Sequence, residues 1–323
     1  MRLGPSPRLV SCIACVLFAC SCVCGAARAQ TAAPAGFEPG REPLPPPPPE
    51  IKSPEPRLHW NPAWPRFRPV GYALTAASVI AAFTLTLAIE YPDDPRWIGG
   101  TLFDDVVRDA LRARDPHLRN TIRVASDITL LATVLQAGLI DGFLLPLADG
   151  SSDVAFQLTL MNAQALSLNI LIATLLFKAV ARARPTLYQC RADPTSDPLC
   201  DTGTYASFPS SHTSTAFTAA GLTCIHHQHL PLYGGATQDA LACAGAMTLA
   251  TATGLFRIIG DRHYLTDVIV GAAIGFSLGY VYPWLFHYQY GSSPPKREVS
   301  ELRWGLTPGA AGAPLGLSAL GMF

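Results

Sequence analysis

Six apolar segments of about 20 residues dominate the chain after residue 70. They cover approximately residues 70–90, 124–147, 154–177, 213–227, 239–258 and 265–287. A helix needs about 20 residues to cross the hydrocarbon core of a bilayer. The last segment carries Gly271, Gly275 and Gly279 at a spacing of four, which lets helix backbones approach closely. The pattern predicts an all-α fold, a six-helix bundle that crosses a membrane several times.

Polar residues interrupt two of these segments. The second contains Asp127, Gln136 and Asp141. The third contains four amide side chains, Gln157, Asn162, Gln164 and Asn169. Such groups need partners inside a bundle, so a soluble six-helix bundle with the same polar core is an alternative. Residues 103–112 alternate charged and apolar positions at helical spacing, which predicts a short amphipathic helix at an interface.

The N-terminus has the pattern of an export signal. Two arginines precede an apolar run, and the small-x-small motif Ala27-Arg28-Ala29 follows it. Residues 1–29 are therefore predicted to be a signal peptide. Residues 30–69 are rich in proline and predict an extended linker. The helical domain follows over residues 70–288, and residues 289–323 form a polar and Gly-rich tail.

The cysteines fit an exported chain. Five of the nine lie in the predicted signal peptide. Cys190 and Cys200 flank a short polar loop, and exported proteins commonly carry disulfides, so we expect these two to be joined. Cys224 and Cys243 lie within apolar segments, where we expect unpaired thiols that act as small hydrophobic groups.

The charge balance excludes some classes of partner. The chain has 23 basic and 23 acidic side chains, and only 14% of its residues are charged. Soluble domains average about 25% charged residues, so an ordinary cytosolic enzyme is disfavoured. Since the charges cancel, we expect neither a nucleic acid nor an acidic protein as partner.

Candidate chemistry stands at the ends of the apolar segments. Lys178 and Arg184 follow the third segment, where their charges suit an anionic group. The stretch Ser207–Ser214 places His212 at a helix start, where free N–H groups bind anions. This second cluster therefore combines an imidazole with an anion-binding helix end.

A third cluster lies between the fifth and sixth segments. Arg257 is followed by His263 and Asp267, which are four residues apart on one helical face. Each cluster alone is weak, because His and Arg are common at helix ends and membrane boundaries. Together the three clusters supply the positioning and charge stabilisation that phosphoryl transfer needs.

These residues resemble the type 2 phosphatidic acid phosphatase family, whose fold is shared with bacterial class A acid phosphatases and vanadium haloperoxidases. The family pattern is Lys-x6-Arg-Pro, then Pro-Ser-Gly-His, then Ser-Arg-x5-His-x3-Asp, and residues 178–267 follow this order. The resemblance implies a phosphohydrolase that removes phosphate from a lipid phosphate or lipid pyrophosphate through a phosphohistidine.

The resemblance also implies a role for each site residue. His263 is the implied nucleophile, Asp267 the carboxylate that holds its other nitrogen, and His212 the acid that protonates the leaving oxygen. The groups implied to bind the phosphoryl oxygens are Lys178, Arg184, Ser210, Ser211 and Arg257.

Three positions depart from the family pattern. Lys178 precedes Arg184 by six residues rather than seven, Ser211 replaces a glycine, and Phe256 replaces the serine before Arg257. These changes predict weaker phosphate binding or an altered substrate. They also motivate the alternative of a catalytically degenerate phospholipid-binding membrane protein.

No metal or other cofactor is expected. The histidines of the stretch His226–His229 have no acidic partner nearby in the sequence, so we expect them to face solvent. The implied family chemistry needs no metal. Haloperoxidase activity would require bound vanadate, and no feature of the sequence favours it.

The expected location is a membrane of the cell envelope, with the site on the extracytoplasmic side. The expected partners are that membrane and a phosphorylated lipid or small phosphate ester, and the oligomeric state is not predicted. A soluble periplasmic acid phosphatase of broad range is the alternative. A cleaved signal followed by three spanning helices would instead place Lys178 on the cytoplasmic side, so the simplest topology conflicts with the expected one.

Overall fold

The computed structural model describes residues 55–88, 92, 94–200 and 205–289, and the backbone of residues 303–307 and 316–320. The predicted signal peptide, residues 1–29, lies outside the described residues, as does most of the predicted linker.

Eight helices build the described part of the chain between residues 69 and 288. They are α1 (Pro69–Ala88), α2 (Asp104–Leu111), α3 (Pro116–Ala148), α4 (Ser152–Val180), α5 (Leu187–Ala192), α6 (Ser211–His229), α7 (Ala236–Ile259) and α8 (Leu265–Tyr288). The six long helices match the six apolar segments, and α2 is the predicted amphipathic helix. The predicted all-α bundle is therefore confirmed.

Two of the long helices contain wider turns. Residues Gln136–Leu144 of α3 form a π-helical stretch, and α8 has two more, at Ser277–Val281 and Trp284–Tyr288. Five helices, α1, α3, α4, α7 and α8, are long and apolar enough to cross a membrane. The sixth, α6, packs against α3, α4, α7 and α8 and forms the centre of the bundle.

The glycine stripe of α8 brings this helix against α6. A Cβ atom added at Gly271, Gly275 or Gly279 would overlap backbone oxygens of α6. Only glycine permits so close an approach of the two backbones. This contact places the first turn of α8 beside the first turn of α6, which is where two of the predicted site clusters lie.

The segment before α1 belongs to the packed core. Leu58, Trp60 and Trp64 are buried, and the Trp64 ring lies 4.9 Å from the ring of Tyr288 at the end of α8. The stretch predicted as linker up to residue 69 thus joins the bundle from Leu58 onward. Large aromatic side chains explain this packing, because burying them stabilises the folded chain more than leaving them exposed in an extended linker would.

The tail contains two strands that the sequence analysis did not predict. They are β1 (Arg303–Thr307) and β2 (Gly316–Leu320). The two pair antiparallel, with Arg303 opposite Leu320 and Thr307 opposite Gly316.

Two disulfides join the four cysteines of the helical domain. Cys190 and Cys200, the pair expected from the sequence, are bonded. Cys224 of α6 and Cys243 of α7 are also bonded, so the expectation of unpaired thiols was wrong. The reason is tertiary: α6 and α7 pack closely, and the two Cα atoms come within 4.4 Å.

His226 and His227 near the end of α6 are buried and His229 is half-buried, which corrects the expectation that they face solvent. His226 bonds Asn162 and Tyr288, each at 2.9 Å. His227 lies 2.6 Å from Asp239 of α7 and 3.4 Å from Asp141 of α3. These partners lie far away in sequence. The described residues contain no group of three or more His, Cys, Asp or Glu placed to hold a metal ion.

Candidate active site

Four helix ends converge at one face of the bundle. Backbone hydrogen bonds join the segment after α4 to the one before α6, from Ser207 N to Arg182 O at 3.0 Å. Another joins the start of α6 to α8, from Ser210 N to Asp267 O at 3.0 Å. The three clusters predicted from the sequence therefore meet in one place.

His263 is buried and held in one tautomer. Its Nδ1 lies 2.7 Å from the carbonyl oxygen of Ser207, and its Nε2 lies 3.3 Å from Nη1 of Arg184. A carbonyl oxygen only accepts and a guanidinium only donates. The proton therefore sits on Nδ1, which donates to Ser207, and Nε2 carries the lone pair, which accepts from Arg184.

The surroundings of His263 favour the neutral imidazole. Burial, followed by the positive charges of Arg184, Arg257 and His212, holds the pKa of His263 well below its ordinary value of 6.5. An unprotonated Nε2 at neutral pH is the form that can act as a nucleophile.

Asp267 does not hold the imidazole directly. Its Oδ2 lies 3.8 Å from Nδ1 of His263, which is too far for a hydrogen bond. The carboxylate instead accepts from Ser207 Oγ at 2.6 Å, Tyr264 N at 2.9 Å and Arg182 Nη1 at 2.5 Å. The resemblance implied that Asp267 holds the other nitrogen of His263, and the structure corrects this. The Ser207 carbonyl orients the ring, and Asp267 supplies a nearby negative charge.

Arg182 is a central residue that the sequence analysis missed. Its side chain is fully buried, and it bonds both Asp267 and, at 2.7 Å, Asp104 of α2. Its guanidinium lies between the rings of Trp97, at 3.9 Å, and Tyr264, at 4.1 Å. Burial alone would raise the pKa of Asp104, but the hydrogen bonds led by Arg182 outweigh it and hold that pKa below its ordinary value. Arg182 therefore links α2 to the Asp267 carboxylate.

His212 is paired with a carboxylate from α3. Its Nε2 lies 3.0 Å from Oδ1 of Asp127, which is also 3.4 Å from Nη1 of Arg257. Burial lowers the pKa of His212, and Asp127 opposes that shift. Asp127 was visible in the sequence only as a polar break in an apolar segment, so its place in the site was not predicted.

Three guanidinium groups of the site region are buried. They belong to Arg184, Arg257 and Arg262, each less than one-tenth exposed. Arg184 also donates to the carbonyl oxygen of Arg262 at 2.9 Å. The Nε atoms of Arg257 and Arg262 have no hydrogen-bond partner in the part of the chain that the structure describes.

Arg262 was not predicted as a site residue. Burial, followed by the charge of Arg123, lowers its pKa to about 10. The site thus offers buried donors that an anion can satisfy, because a phosphoryl group presents several acceptor oxygens to guanidinium groups.

The serines at the start of α6 differ in what they offer. Ser210 is fully buried, and its Oγ caps the helix by accepting from Thr213 N at 3.5 Å; it also accepts from Thr213 Oγ1 at 2.9 Å. Ser211 opens the first turn of α6, whose N–H groups have no acceptor within the helix. Ser211 is not among the residues with positive φ, so replacing the family glycine by serine strains no backbone here.

Lys178 lies in the last turn of α4 and is half-buried. Its implied contact with phosphate stays a prediction.

This helical region is similar to known proteins. Residues 158–290 match the family model described as the PAP2 superfamily. Over 79 residues the chain is 39% identical to a lipid A 1-phosphatase of Porphyromonas gingivalis, which covers 24% of this chain and 16% of that protein. The match therefore spans about one-sixth of the length of that curated relative.

Among solved structures, the chain is similar to the crystal structure of a transmembrane PAP2 type phosphatidylglycerolphosphate phosphatase from Bacillus subtilis. That match has a TM-score of 0.40 and 19% identity, and it covers 65% of this chain and 92% of that one.

Proposed function

Since residues 158–290 match the family model of the PAP2 superfamily, we propose that the protein is a lipid phosphatase that uses His263 as its nucleophile. The observation that carries the proposal is the state of His263, whose Nε2 lone pair faces Arg184 among three buried guanidinium groups. Its substrate class is a lipid phosphate or lipid pyrophosphate.

The first step transfers the phosphoryl group to the enzyme. The lone pair on Nε2 of His263 attacks phosphorus in line, and the bond from phosphorus to the leaving oxygen breaks. His212 gives its proton to that oxygen, so the alcohol or lipid phosphate departs neutralised. The imidazolium that forms keeps its Nδ1–H bond to Ser207 and lies beside the Asp267 charge.

The second step returns the enzyme to its starting state. Neutral His212 takes a proton from water, the water oxygen attacks phosphorus, and the bond from phosphorus to Nε2 breaks. Asp127 is placed to orient His212 in both steps and to stabilise its protonated form. Inorganic phosphate leaves as the product.

The guanidinium groups carry the electrostatic part of the mechanism. Arg184, Arg257 and Arg262 would bind the phosphoryl oxygens, helped by the first-turn N–H groups of α6. Lys178 is proposed as a further contact. The mechanism requires no metal ion, because these groups supply the positive charge.

The position of the site supports a lipid substrate. It lies where α4, α6, α7 and α8 begin or end, and three of these helices, α4, α7 and α8, are long and apolar enough to span a membrane. Beside it, α2 and the turn before it expose Leu102, Phe103 and Val106, with 83%, 65% and 73% of their surface accessible. Apolar groups in this position suit a membrane interface better than water.

We place the site on the extracytoplasmic side. The Cys190–Cys200 disulfide supports this, because its loop follows α4 directly at the same face. Successive long helices run in opposite directions, so a site outside the cytoplasm places the start of α1 on the cytoplasmic side. A cleaved signal peptide would instead leave the start of α1 outside the cytoplasm. Reporter fusions at residues 195 and 235 decide between the two orientations.

Purified full-length protein in detergent tests the proposed function. Phosphate release from a lipid phosphate, a lipid pyrophosphate and an aryl phosphate is measured for wild type and His263→Ala. We expect His263→Ala to abolish turnover, and His117→Ala, an exposed histidine at the start of α3, to retain it. Folded wild type that binds these lipids without turnover would favour the degenerate phospholipid-binding alternative.

His212→Ala separates the acid from the nucleophile. Its loss should slow the first step, measured as kcat/KM, far more for substrates with poor leaving groups than for aryl phosphates, whose leaving groups need little protonation. Equal losses on both kinds of substrate would remove His212 from the acid role.

A further inference from the structure

A polar cavity separate from the candidate active site lies at the same face of the bundle. It has a volume of about 480 Å³ and is formed by the turn between α2 and α3, the first turn of α3, and α5. The residues that line it, here called the arginine pocket, are Asp109, Arg112, Ala113, Arg114, Arg119 and Gln189.

The arginine pocket is tied to the catalytic helix. Ala113 N donates to the carbonyl oxygen of Ile259 at 2.9 Å, two residues beyond Arg257. On the other side, Arg119 Nη2 donates to the carbonyl oxygen of Ser196 at 3.2 Å, within the loop closed by the Cys190–Cys200 disulfide. The pocket therefore adjoins the phosphoryl site and has a fixed wall.

Its charge favours an anion. Three guanidinium groups face a single carboxylate, that of Asp109, within the lining. Arg119 is 5% exposed, and its Nη atoms bond Gln189 and Ser196 and lie near Asp197. Asp197 pairs with Arg119, so the excess positive charge of the pocket comes from Arg112 and Arg114.

Two donors in the pocket are unsatisfied. The Nε atoms of Arg112 and Arg119 are buried and have no hydrogen-bond partner among the described residues. Arg112 Nε is 3.8 Å from Asp109, beyond hydrogen-bond distance. Buried donors without acceptors are uncommon and costly, and the oxygens of an anion would satisfy both.

We propose that the arginine pocket binds a second anionic group of the same substrate molecule while its first phosphate lies at His263. The inference rests on the proposed function and narrows its substrate class to lipids whose head group carries two separated anionic groups, phosphate or carboxylate. Arg112 and Arg114 are the specificity-determining residues.

Binding of bisphosphonates tests this without relying on turnover. A series of alkane bisphosphonates of increasing chain length, with the matching alkyl monophosphonates, is titrated into the full chain in detergent by calorimetry. Two charge-assisted contacts in the pocket should tighten the best bisphosphonate by about 10- to 100-fold over its monophosphonate. The gain should peak at one chain length, which measures the distance between the two sites.

The variant Arg112→Ala/Arg114→Ala should remove this gain and leave monophosphonate affinity within about twofold. Both side chains are at least partly exposed, so the bundle should still fold. Arg191→Ala, an exposed arginine of α5 outside the pocket, is the matched control and should keep the gain. Retention of the gain by the double variant, its loss in the control, or no gain at any length would overturn the proposal.

An enzymatic arm separates this proposal from the proposed function. Aryl phosphate hydrolysis by the double variant should equal that of wild type, since that substrate has one anionic group. If wild type hydrolyses nothing but the bisphosphonate gain is present, the proposed function fails and the anion pocket stands. If wild type is active without the gain, only the pocket fails.

Discussion

The substitution Asp267→Asn removes the negative charge beside His263 and keeps the shape of the side chain. The amide oxygen can still accept from Arg182, and the Ser207 carbonyl still orients Nδ1 at 2.7 Å. The tautomer of His263 is therefore retained. What is lost is the attraction between the carboxylate and the imidazolium that forms during phosphoryl transfer.

The size of this loss follows from the distance. Two unit charges 3.8 Å apart attract by about 4 kcal/mol at an effective dielectric constant of about 20. Arg182 lies 2.5 Å from the same carboxylate and offsets part of that attraction. Each 1.36 kcal/mol changes a rate about tenfold, so kcat should fall about 10²- to 10³-fold.

The assay is kcat and KM on an aryl phosphate, with quenched-flow measurement of the phosphorylated enzyme. KM should change little, because Asp267 touches no phosphoryl oxygen in the proposed mechanism. Asp239→Asn removes a buried carboxylate at the opposite end of the bundle and controls for lost stability. A fall in kcat below about threefold would refute the electrostatic role, and a loss equal to that of His263→Ala would show that the tautomer was not held by Ser207.

Three further predictions concern pH and the membrane. For kcat/KM, His263 must be neutral and His212 protonated, and both pKa values lie below 6.5. Activity should therefore peak below about pH 6.5, and a neutral or alkaline optimum would contradict this assignment. Because folding depresses the pKa of His263, the melting temperature should also drop as pH falls below about 6.5. Asp127→Asn should move the high-pH limb to lower pH, since Asp127 raises the pKa of His212; an unmoved limb would remove that pairing. Phe103→Ser/Val106→Ser should lower hydrolysis of a lipid phosphate in bilayers several-fold and leave aryl phosphate hydrolysis unchanged, and equal effects on both would exclude an interfacial role for α2.

Much of the fold was predictable because hydrophobic length is a local property. The six apolar segments and the amphipathic stretch each became a helix within three residues of the expected bounds, except that α3 begins eight residues before residue 124. The resemblance seen in three short motifs agrees with the match of residues 158–290 to the family model of the PAP2 superfamily. These signals lie in contiguous sequence, and no long-range contact was needed to find them.

The missed features all depend on which helices touch. Arg182 stands between two alanines and gives no signal until the chain folds it against Asp104 and Asp267. Asp127 is 85 positions from its partner His212. The Cys224–Cys243 bond likewise reflects the contact of α6 with α7.

The geometry of Asp267 was misjudged for a related reason. Its spacing of four residues from His263 correctly brought the two side chains near each other, at 3.8 Å. The spacing could not reveal that Tyr264 N, Ser207 and Arg182 would occupy the carboxylate oxygens. A sequence motif therefore identified the pair, but the fold determines how the pair interacts.

Trapping the phosphorylated enzyme tests directly whether His263 is the nucleophile. Wild type is mixed with a ³²P-labelled aryl phosphate, quenched in alkali within milliseconds and mapped by mass spectrometry. We expect an acid-labile, alkali-stable phosphate on His263, none in His263→Ala, and accumulation in His212→Ala, which forms the intermediate but lacks the base that activates water. Turnover without label on His263, or label on another residue, would contradict the account.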